Sequence, residues 1–362
     1  MTQNLFGDSY MTTIVLTGGG TAGHVTPHLA LLPTLRSKGY SIHYVGTAKG
    51  IEKALAEKEH LPFHAINAGK LRRYMDMRNI TDIVRIMHGF FQSFFILLFL
   101  RPKIVFSKGG FVSCPVVWAS WLLRVPVVIH ESDMTPGLAN RLSLPFAKKI
   151  CYSFSETLAH LKKEKAVYTG LPVRRELLGG DRSTGRNLCG FTDGKPVLLV
   201  MGGSLGAQVI NAKLREALPL ILPQFNVIHI CGRGNLSDAA DGYKQFEYIT
   251  EELPHVFAAA DLFAGRSGAT TLFELFALKV PALFIPLTTG ASRGDQLLNA
   301  ESFQKQGFCS ILRQEEMTPE SLSAAITKTF AERNAMVDAM KDTRIPDGVD
   351  AVCGVIEEVV TG

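Results

Sequence analysis

Short apolar runs recur along the chain, each closed by glycine, proline or polar residues, and segments with helical spacing lie between them. TIVLTGGG at 13–20 predicts a buried strand running into a glycine turn. HVTPHLALLPTLRSKG predicts a helix whose first turn holds His24 and which ends near Gly39. SIHYVG (41–46), PKIVFS (102–107), PVVIHES (126–132) and KKICYS (148–153) predict further strands. The same unit of strand, glycine cluster and helix reopens at 196 with PVLLVMGGSLGAQVINAKLREAL. Strands are predicted after it at NVIHICG (226–232), ADLFAG (260–265) and PALFIPL (281–287). Strand and helix signals that alternate in this way predict an α/β fold with parallel sheets. At 362 residues the chain exceeds what one hydrophobic core usually supports, so two Rossmann-like domains are expected. The Gly- and Arg-rich stretch at 168–185 is the expected linker.

Composition adds limits. Hydrophobic residues make up 46% and charged residues 20%, which excludes a disordered chain. Cys114, Cys151, Cys189, Cys231, Cys309 and Cys353 form no C-x-x-C pair, so free thiols in a reducing cytoplasm are expected rather than a zinc site. Residues 1–10 have neither a basic start nor an apolar core, and read as a short extension rather than a secretory signal.

The net charge of +5 is unevenly placed. Residues 70–103 hold seven basic residues (Lys70, Arg72, Arg73, Arg78, Arg85, Arg101 and Lys103) against Asp76 and Asp82, an excess equal to that of the whole chain. The same stretch contains IMHGFFQSFFILLFL at 86–100, shorter than the roughly twenty apolar residues a bilayer span needs. A basic segment beside an apolar one suits adsorption to an anionic lipid surface, each cation contributing about 1 kcal/mol. Lys70, Arg72, Arg73, Phe90, Phe94 and Phe95 are the expected membrane face; a buried core helix behind a solvated loop is the plainer reading.

Three glycine-containing turns could carry chemistry. Gly18, Gly20 and Gly23 match G-x-G-x-x-G, a pattern that lets backbone N–H groups approach an anion. A dinucleotide site would also need an acid at the end of the second strand, where Tyr44-Val45-Gly46 stands instead. His24 beside this turn reads either as a neutral proton acceptor or as a helix-capping residue. The second turn, Gly202-Gly203-Ser204, offers a phosphate site to which Ser204 could donate, or a plain helix cap. In the third, Ser267 is the expected N-cap of a helix carrying Glu274, a carboxylate suited to ribose hydroxyls or simply a solvated helix residue. Gln296 and Asn299 share a helix face, and amides there suit sugar hydroxyls. No D-x-D triplet and no G-x-x-x-x-G-K-[ST] loop occurs, so metal-held diphosphate and ATP hydrolysis are both disfavoured.

The segments GGGTAGHVTPHLAL, FSKGGFVSCPVV, HESDMTPGLANR, TGLPVRREL, GGSLGAQVIN, RSGATTLFEL and ASRGDQLLNAESF resemble, in order and over roughly residues 12–345, the MurG family of glycosyltransferase family 28. The resemblance implies a GT-B architecture, two Rossmann-like domains with parallel sheets facing across a cleft. It implies an acceptor- and membrane-associating domain at 11–172, a UDP-sugar domain at 173–344, and a C-terminal helix near 345–360 that packs back on the first. It implies an inverting hexosyltransferase that moves N-acetylglucosamine from UDP-N-acetylglucosamine to lipid I, giving lipid II, without a metal or other cofactor. The expected partners are lipid I, the anionic cytoplasmic face of the cell membrane and other wall-synthesis proteins, with no nucleic acid.

Carried residue by residue, the resemblance places Thr21, Ala22 and Gly23 near the sugar and diphosphate, and Ser204 and Arg174 at the phosphates. The Ile249 backbone meets uracil, and Ala269, Thr270, Thr271, Leu272, Phe273 and Glu274 wrap the pyrophosphate and ribose. Gln296 holds the sugar hydroxyls, His24 is the candidate base, and Glu131 and Asn140 flank the acceptor. Asp133 stands where many members have Asn, which puts a donor-sugar contact there in doubt, and Ala22 replaces a common glycine. A diacylglycerol glycosyltransferase, a nucleotide-sugar epimerase and a non-catalytic UDP-sugar sensor are the rival readings.

Overall fold

A computed structural model describes residues 12–69, 78–203, 207–288 and 294–362, with only the backbone described at 22 and 78–81. Lys70, Arg72, Arg73 and Ser204 lie outside the described residues. The chain divides into two compact units, residues 1–172 with 346–362, and residues 173–345.

The first unit is built on seven parallel strands. These are β1 (Thr13–Gly18), β2 (Ser41–Thr47), β3 (Phe63–Ile66), β4 (Ile104–Gly109), β5 (Val127–Glu131), β6 (Lys149–Tyr152) and β7 (Ala166–Tyr168), in the order β3-β2-β1-β4-β5-β6-β7. Helices α1 (Thr26–Ser37), α2 (Ile51–Lys58), α3 (Arg78–Leu100), α4 (Ser113–Leu122) and α5 (Leu138–Ser143) connect them. The central strands are buried on both faces, which is why they read as unbroken apolar runs. Ile14, Leu16, Phe106 and Val128 meet α1 on one face, while Val15, Val105 and Ile129 pack with Val112, Val116 and Val117 on the other.

The second unit repeats the plan with β8 (Val197–Met201), β9 (Asn226–Ile230), β10 (Tyr243–Phe246), β11 (Leu262–Gly265), β12 (Ala282–Phe284) and β13 (Cys309–Ile311), in the order β10-β9-β8-β11-β12-β13. Its helices are α6 (Arg182–Cys189), α7 (Gln208–Ile221), α8 (Leu253–Ala259), α9 (Ala269–Leu278), α10 (Asp295–Lys305), α11 (Pro319–Ala331) and α12 (Arg333–Asp342). The final helix, α13 (Gly348–Thr361), belongs to the first unit. Asp347 caps it through Val349 N–H and Asp350 N–H, and Val349, Val352, Cys353 and Ile356 are buried in the α1 face of the sheet. Truncating a side chain such as Ile356 to alanine there costs about 2–5 kcal/mol.

Two sequence expectations change here. The 168–185 stretch holds the unit boundary, after Pro172 as expected, but its last part is not linker, since α6 begins at Arg182. Gly180 and Gly185 pack so closely on the Pro254 and His255 carbonyls of α8 that no side chain fits. The apolar segment at 86–100 is the end of a 23-residue helix, so α3 is long and apolar enough, by length and composition, to cross a membrane. However, one face of α3 is spent inside the domain: Ile86, Gly89, Ser93 and Leu97 are buried.

Each sheet reverses its strand order once, between β1 and β4 in the first unit and between β8 and β11 in the second. In open parallel sheets such switch points are where ligands bind. All three glycine-containing turns fall there, after β1, β8 and β11.

Candidate functional site

At the first switch point the β1 turn is held from two sides. Gly20 has φ +87, and a β-carbon on it would lie 2.7 Å from the Phe111 ring, so both conformation and contact demand glycine. From the opposite side Glu52, on α2 and fully buried, accepts hydrogen bonds from Gly20 N–H at 3.3 Å, from Thr47 N–H at 3.0 Å and from the Thr47 hydroxyl. A β-carbon on Gly19 would lie 2.6 Å from this carboxyl group. One N–H that could have faced an anion is thus committed to a carboxylate. Thr21 and Gly23, which follow Gly20, are exposed.

His24 does not lie in the first turn of α1. It closes a 3-10 turn over Ala22–His24, its N–H donating to the Thr21 carbonyl at 3.1 Å, and α1 begins only at Thr26. Pro27 explains the late start, since its ring lacks an N–H and is pre-set for a first helical turn. His24 Nδ1 lies 3.2 Å from the Gly19 carbonyl and 3.1 Å from Thr21 Oγ1. Its ring is therefore aimed by the glycine turn rather than capping α1.

Beneath the turn lies a buried polar group. His28 Nδ1 meets Tyr44 Oη at 3.1 Å, and that hydroxyl donates to the Gly18 carbonyl at 2.8 Å. Burial holds the His28 imidazole well below its ordinary value, helped by Lys108 and His24, and pushes the Tyr44 phenol well up. Lys108, near the end of β4, is 1% exposed and donates to Ser132 Oγ. Burial pulls its ammonium down against the opposing pull of Glu131.

Glu131, expected to flank the acceptor, is tied into the loop that follows β5. Glu131 is 4% exposed, and its carboxyl accepts from Asp133 N–H at 3.0 Å, Gly137 N–H at 3.2 Å and Asn140 Nδ2 at 2.7 Å. Burial, then Asp133, raises its pKa. Glu131 thus fixes the β5–α5 loop and orients Asn140, whose Oδ1 is buried with no hydrogen-bond partner among the described residues. Asp133 contributes its backbone to the same loop.

In the second unit, α9 starts at the switch point after β11. Ser267 is not its cap: the Ser267 hydroxyl donates to the Gln296 carbonyl at 2.8 Å, and Gly268 is the N-cap with no side-chain bond. The first turn of α9 therefore presents open N–H groups to an anion. Leu272 and Phe273 are 0% and 3% exposed, and Leu272 N–H is bonded to the Gly268 carbonyl. Among the predicted 269–274 set, the open donors are thus confined to Ala269, Thr270 and Thr271.

Glu274 is not a solvated helix residue. It is 4% exposed, and Arg174 donates Nε and Nη2 to its Oε1 at 3.2 and 2.9 Å. Burial raises its pKa and Arg174 opposes the rise. Gln296 Oε1 accepts from Leu287 N–H at 3.2 Å, which ties the side chain to the segment just after β12. Asn299 is 1% exposed, so it faces the core and leaves Gln296 without the paired surface amide that spacing predicted. Ile249 has a buried side chain in the loop between β10 and α8, leaving its backbone as the contact it can offer.

On α3 the phase of the helix reverses part of the expected apolar face. Gly89 and Ser93 form the inner seam, with Gly89 against the Asn67 carbonyl, so Phe90 and Phe94 turn half inward onto the core. The exposed stripe is Val84, Met87, Phe91, Phe95 and Phe99, the last 82% exposed.

Sequence reasoning missed Glu52 and Lys108. An acid in the first turn after the second strand, and a lysine inside an apolar strand, were the available signals.

Residues 14–152 match the glycosyltransferase family 28 N-terminal domain, and residues 197–352 match the family's C-terminal domain. A UDP-N-acetylglucosamine–N-acetylmuramyl-(pentapeptide) pyrophosphoryl-undecaprenol N-acetylglucosamine transferase of Clostridium kluyveri is 49% identical over 351 residues, covering 96% of this chain and 99% of the relative. The protein of the same name from Lachnoclostridium phytofermentans is 50% identical over 352 residues with the same coverage. Among solved structures, that of Acinetobacter baumannii MurG matches with a TM-score of 0.76 at 26% identity, over 96% of this chain and 99% of that one.

Proposed function

The chain belongs to glycosyltransferase family 28, and from that premise we propose that it transfers N-acetylglucosamine from UDP-N-acetylglucosamine to the C4 hydroxyl of the muramyl unit of lipid I, giving lipid II. The observation that carries this reading is the end-to-end match, near half identity, to relatives named for this transfer.

In this account the second unit holds the donor. The open first turn of α9, Arg174 and Ser204 offset the diphosphate charge; Glu274 accepts the ribose hydroxyls; the Ile249 backbone meets uracil; Gln296 holds the sugar. Oriented N–H groups and an arginine stabilise the departing UDP without a metal. The first unit supplies His24 as the base that takes the proton from the acceptor hydroxyl. Attack opposite the leaving group inverts the anomeric carbon: the new C–O bond forms as the bond to UDP breaks.

The acceptor is lipid-linked, and α3 presents Phe91, Phe95 and Phe99 with exposed Arg85, Arg101 and Lys103 nearby. This face suits peripheral attachment to the cytoplasmic, anionic surface of the membrane. Mass spectrometry of the product formed from a short-chain lipid I analogue tests the reading. The expected product is the analogue carrying one added N-acetylhexosamine. Glycosylated diacylglycerol in its place would support a glycolipid synthase, and binding with no product would support a sensor.

A further inference from the structure

The Gly19–Gly20 peptide group is engaged at both ends. Its N–H donates to Glu52 Oε2 at 3.3 Å, and its carbonyl lies 3.2 Å from His24 Nδ1. A carbonyl can only accept, so this contact is a hydrogen bond when the imidazole carries its proton on Nδ1. Thr21 Oγ1, 3.1 Å from the same nitrogen, shares that proton. The neutral ring then bears its lone pair on Nε2, the nitrogen a base must use. We propose that Glu52 is a positioning residue that fixes the tautomer and orientation of His24 through the Gly19–Gly20 peptide group. The inference rests on the reading of His24 as the base.

Three observations carry it. First, Glu52 is fully buried yet its carboxyl is directed at two backbone N–H groups, of Gly20 and Thr47, and at the Thr47 hydroxyl, with no basic side chain within ion-pair distance among the described residues. Second, the surrounding chain is pared down to admit it, because a β-carbon at Gly19, Gly46 or Gly50 would collide with its carboxyl or methylene. Third, hydrogen bonds in series polarise one another, so a carboxylate on the N–H makes the carbonyl a stronger acceptor for Nδ1–H. The arrangement does for His24, through one peptide unit, what a directly bonded carboxylate does for other catalytic histidines. The titratable groups nearest this relay stay out of its way: burial keeps His28, which faces His24 from α1, neutral, and holds the Tyr44 phenol that faces Glu52 protonated.

The test combines NMR with turnover on the full-length protein labelled with ¹⁵N-histidine, His24 being assigned by comparison with His24→Asn. In the wild type the neutral His24 ring is expected to carry its proton on Nδ1; a proton on Nε2 overturns the proposal without need of any variant. In Glu52→Gln, loss of the negative charge is expected to lower the His24 pKa by roughly half a unit or more and to move the acid limb of the kcat profile with it. Turnover on the lipid I analogue is expected to fall roughly tenfold or more, with the KM for UDP-N-acetylglucosamine within about twofold, because the substitution leaves Arg174, Glu274, Gln296 and the first turn of α9 untouched. A variant that only melts earlier, leaving the His24 tautomer, pKa and acid limb unchanged, makes Glu52 structural and overturns the proposal. Absence of transfer by the wild type would sink the functional reading instead, and the tautomer would still decide the relay.

Discussion

Arg174 places both of its contacts, Nε at 3.2 Å and Nη2 at 2.9 Å, on a single oxygen of Glu274. The arginine is partly exposed and the glutamate 5% exposed by side chain, so the pair joins a solvent-facing cation to a buried carboxylate. Burial alone would push Glu274 toward its neutral form, and Arg174 keeps it an acceptor. A neutral carboxamide cannot replace that acceptor strength. Glu274→Gln is expected to weaken UDP binding about tenfold to a hundredfold, the scale of hydrogen bonds to a charged group. Calorimetric titration with UDP reads this directly, and affinity within a factor of two of the wild type would remove Glu274 from the donor site.

His24 sits in the other unit, and its loss should separate chemistry from donor binding. His24→Ala is expected to lower kcat about a hundredfold or more while UDP affinity stays within about threefold. Steady-state kinetics on a soluble acceptor analogue check it; retention of most activity would mean no base is needed at this position.

The two members of each phenylalanine doublet of α3, Phe90–Phe91 and Phe94–Phe95, should behave in opposite ways. Replacing exposed Phe91, Phe95 and Phe99 with serine removes apolar area available to a bilayer, each ring contributing up to about 1.5–3 kcal/mol when buried. Sedimentation with anionic vesicles should fall more than tenfold, with thermal stability and activity on a short-chain acceptor preserved. Phe90→Ser and Phe94→Ser, which strip the core, should lower the melting temperature instead. Equal loss of vesicle binding from both sets would deny this face its role.

Acid should weaken the second unit through His229. Burial, with Arg215 beside it, pulls this imidazole down to about 3, and Tyr243 Oη at 2.8 Å and Asn211 Oδ1 at 3.0 Å hold it. An unfolded histidine titrates near 6.5. The folded state therefore binds fewer protons between those values, and the stability His229 contributes, complete above about 6.5, is lost as pH falls toward 3. Urea unfolding between about pH 7 and pH 5 should show a falling midpoint, and His229→Gln should flatten the slope by up to about 1.4 kcal/mol per pH unit. Parallel slopes for variant and wild type would contradict this.

The central strands were legible because burial on both faces writes them as apolar runs. The four strands that sequence did not announce, β3, β7, β10 and β13, are the edges of the two sheets. FHAI, AVY, YKQF and CSI are short and incompletely buried, since an edge strand has one neighbour to bond and a flank to solvent. The glycine turns were legible as local patterns. Glu52 was not, because a dinucleotide pattern places its acid at the end of β2, whereas Glu52 acts from the next helix across a fold-back of the chain. The facing of Phe90 against Phe91 was equally hidden. Adjacent phenylalanines carry no phase of their own, and the seam of Gly89 and Ser93 against the Asn67 loop decides it.

The most direct test of the account is UDP release from UDP-N-acetylglucosamine in the presence of EDTA, with and without a short-chain lipid I analogue. The account predicts release that depends on the analogue and is unaffected by the chelator. Release without an acceptor, release only with diacylglycerol, or no release with the analogue would contradict it.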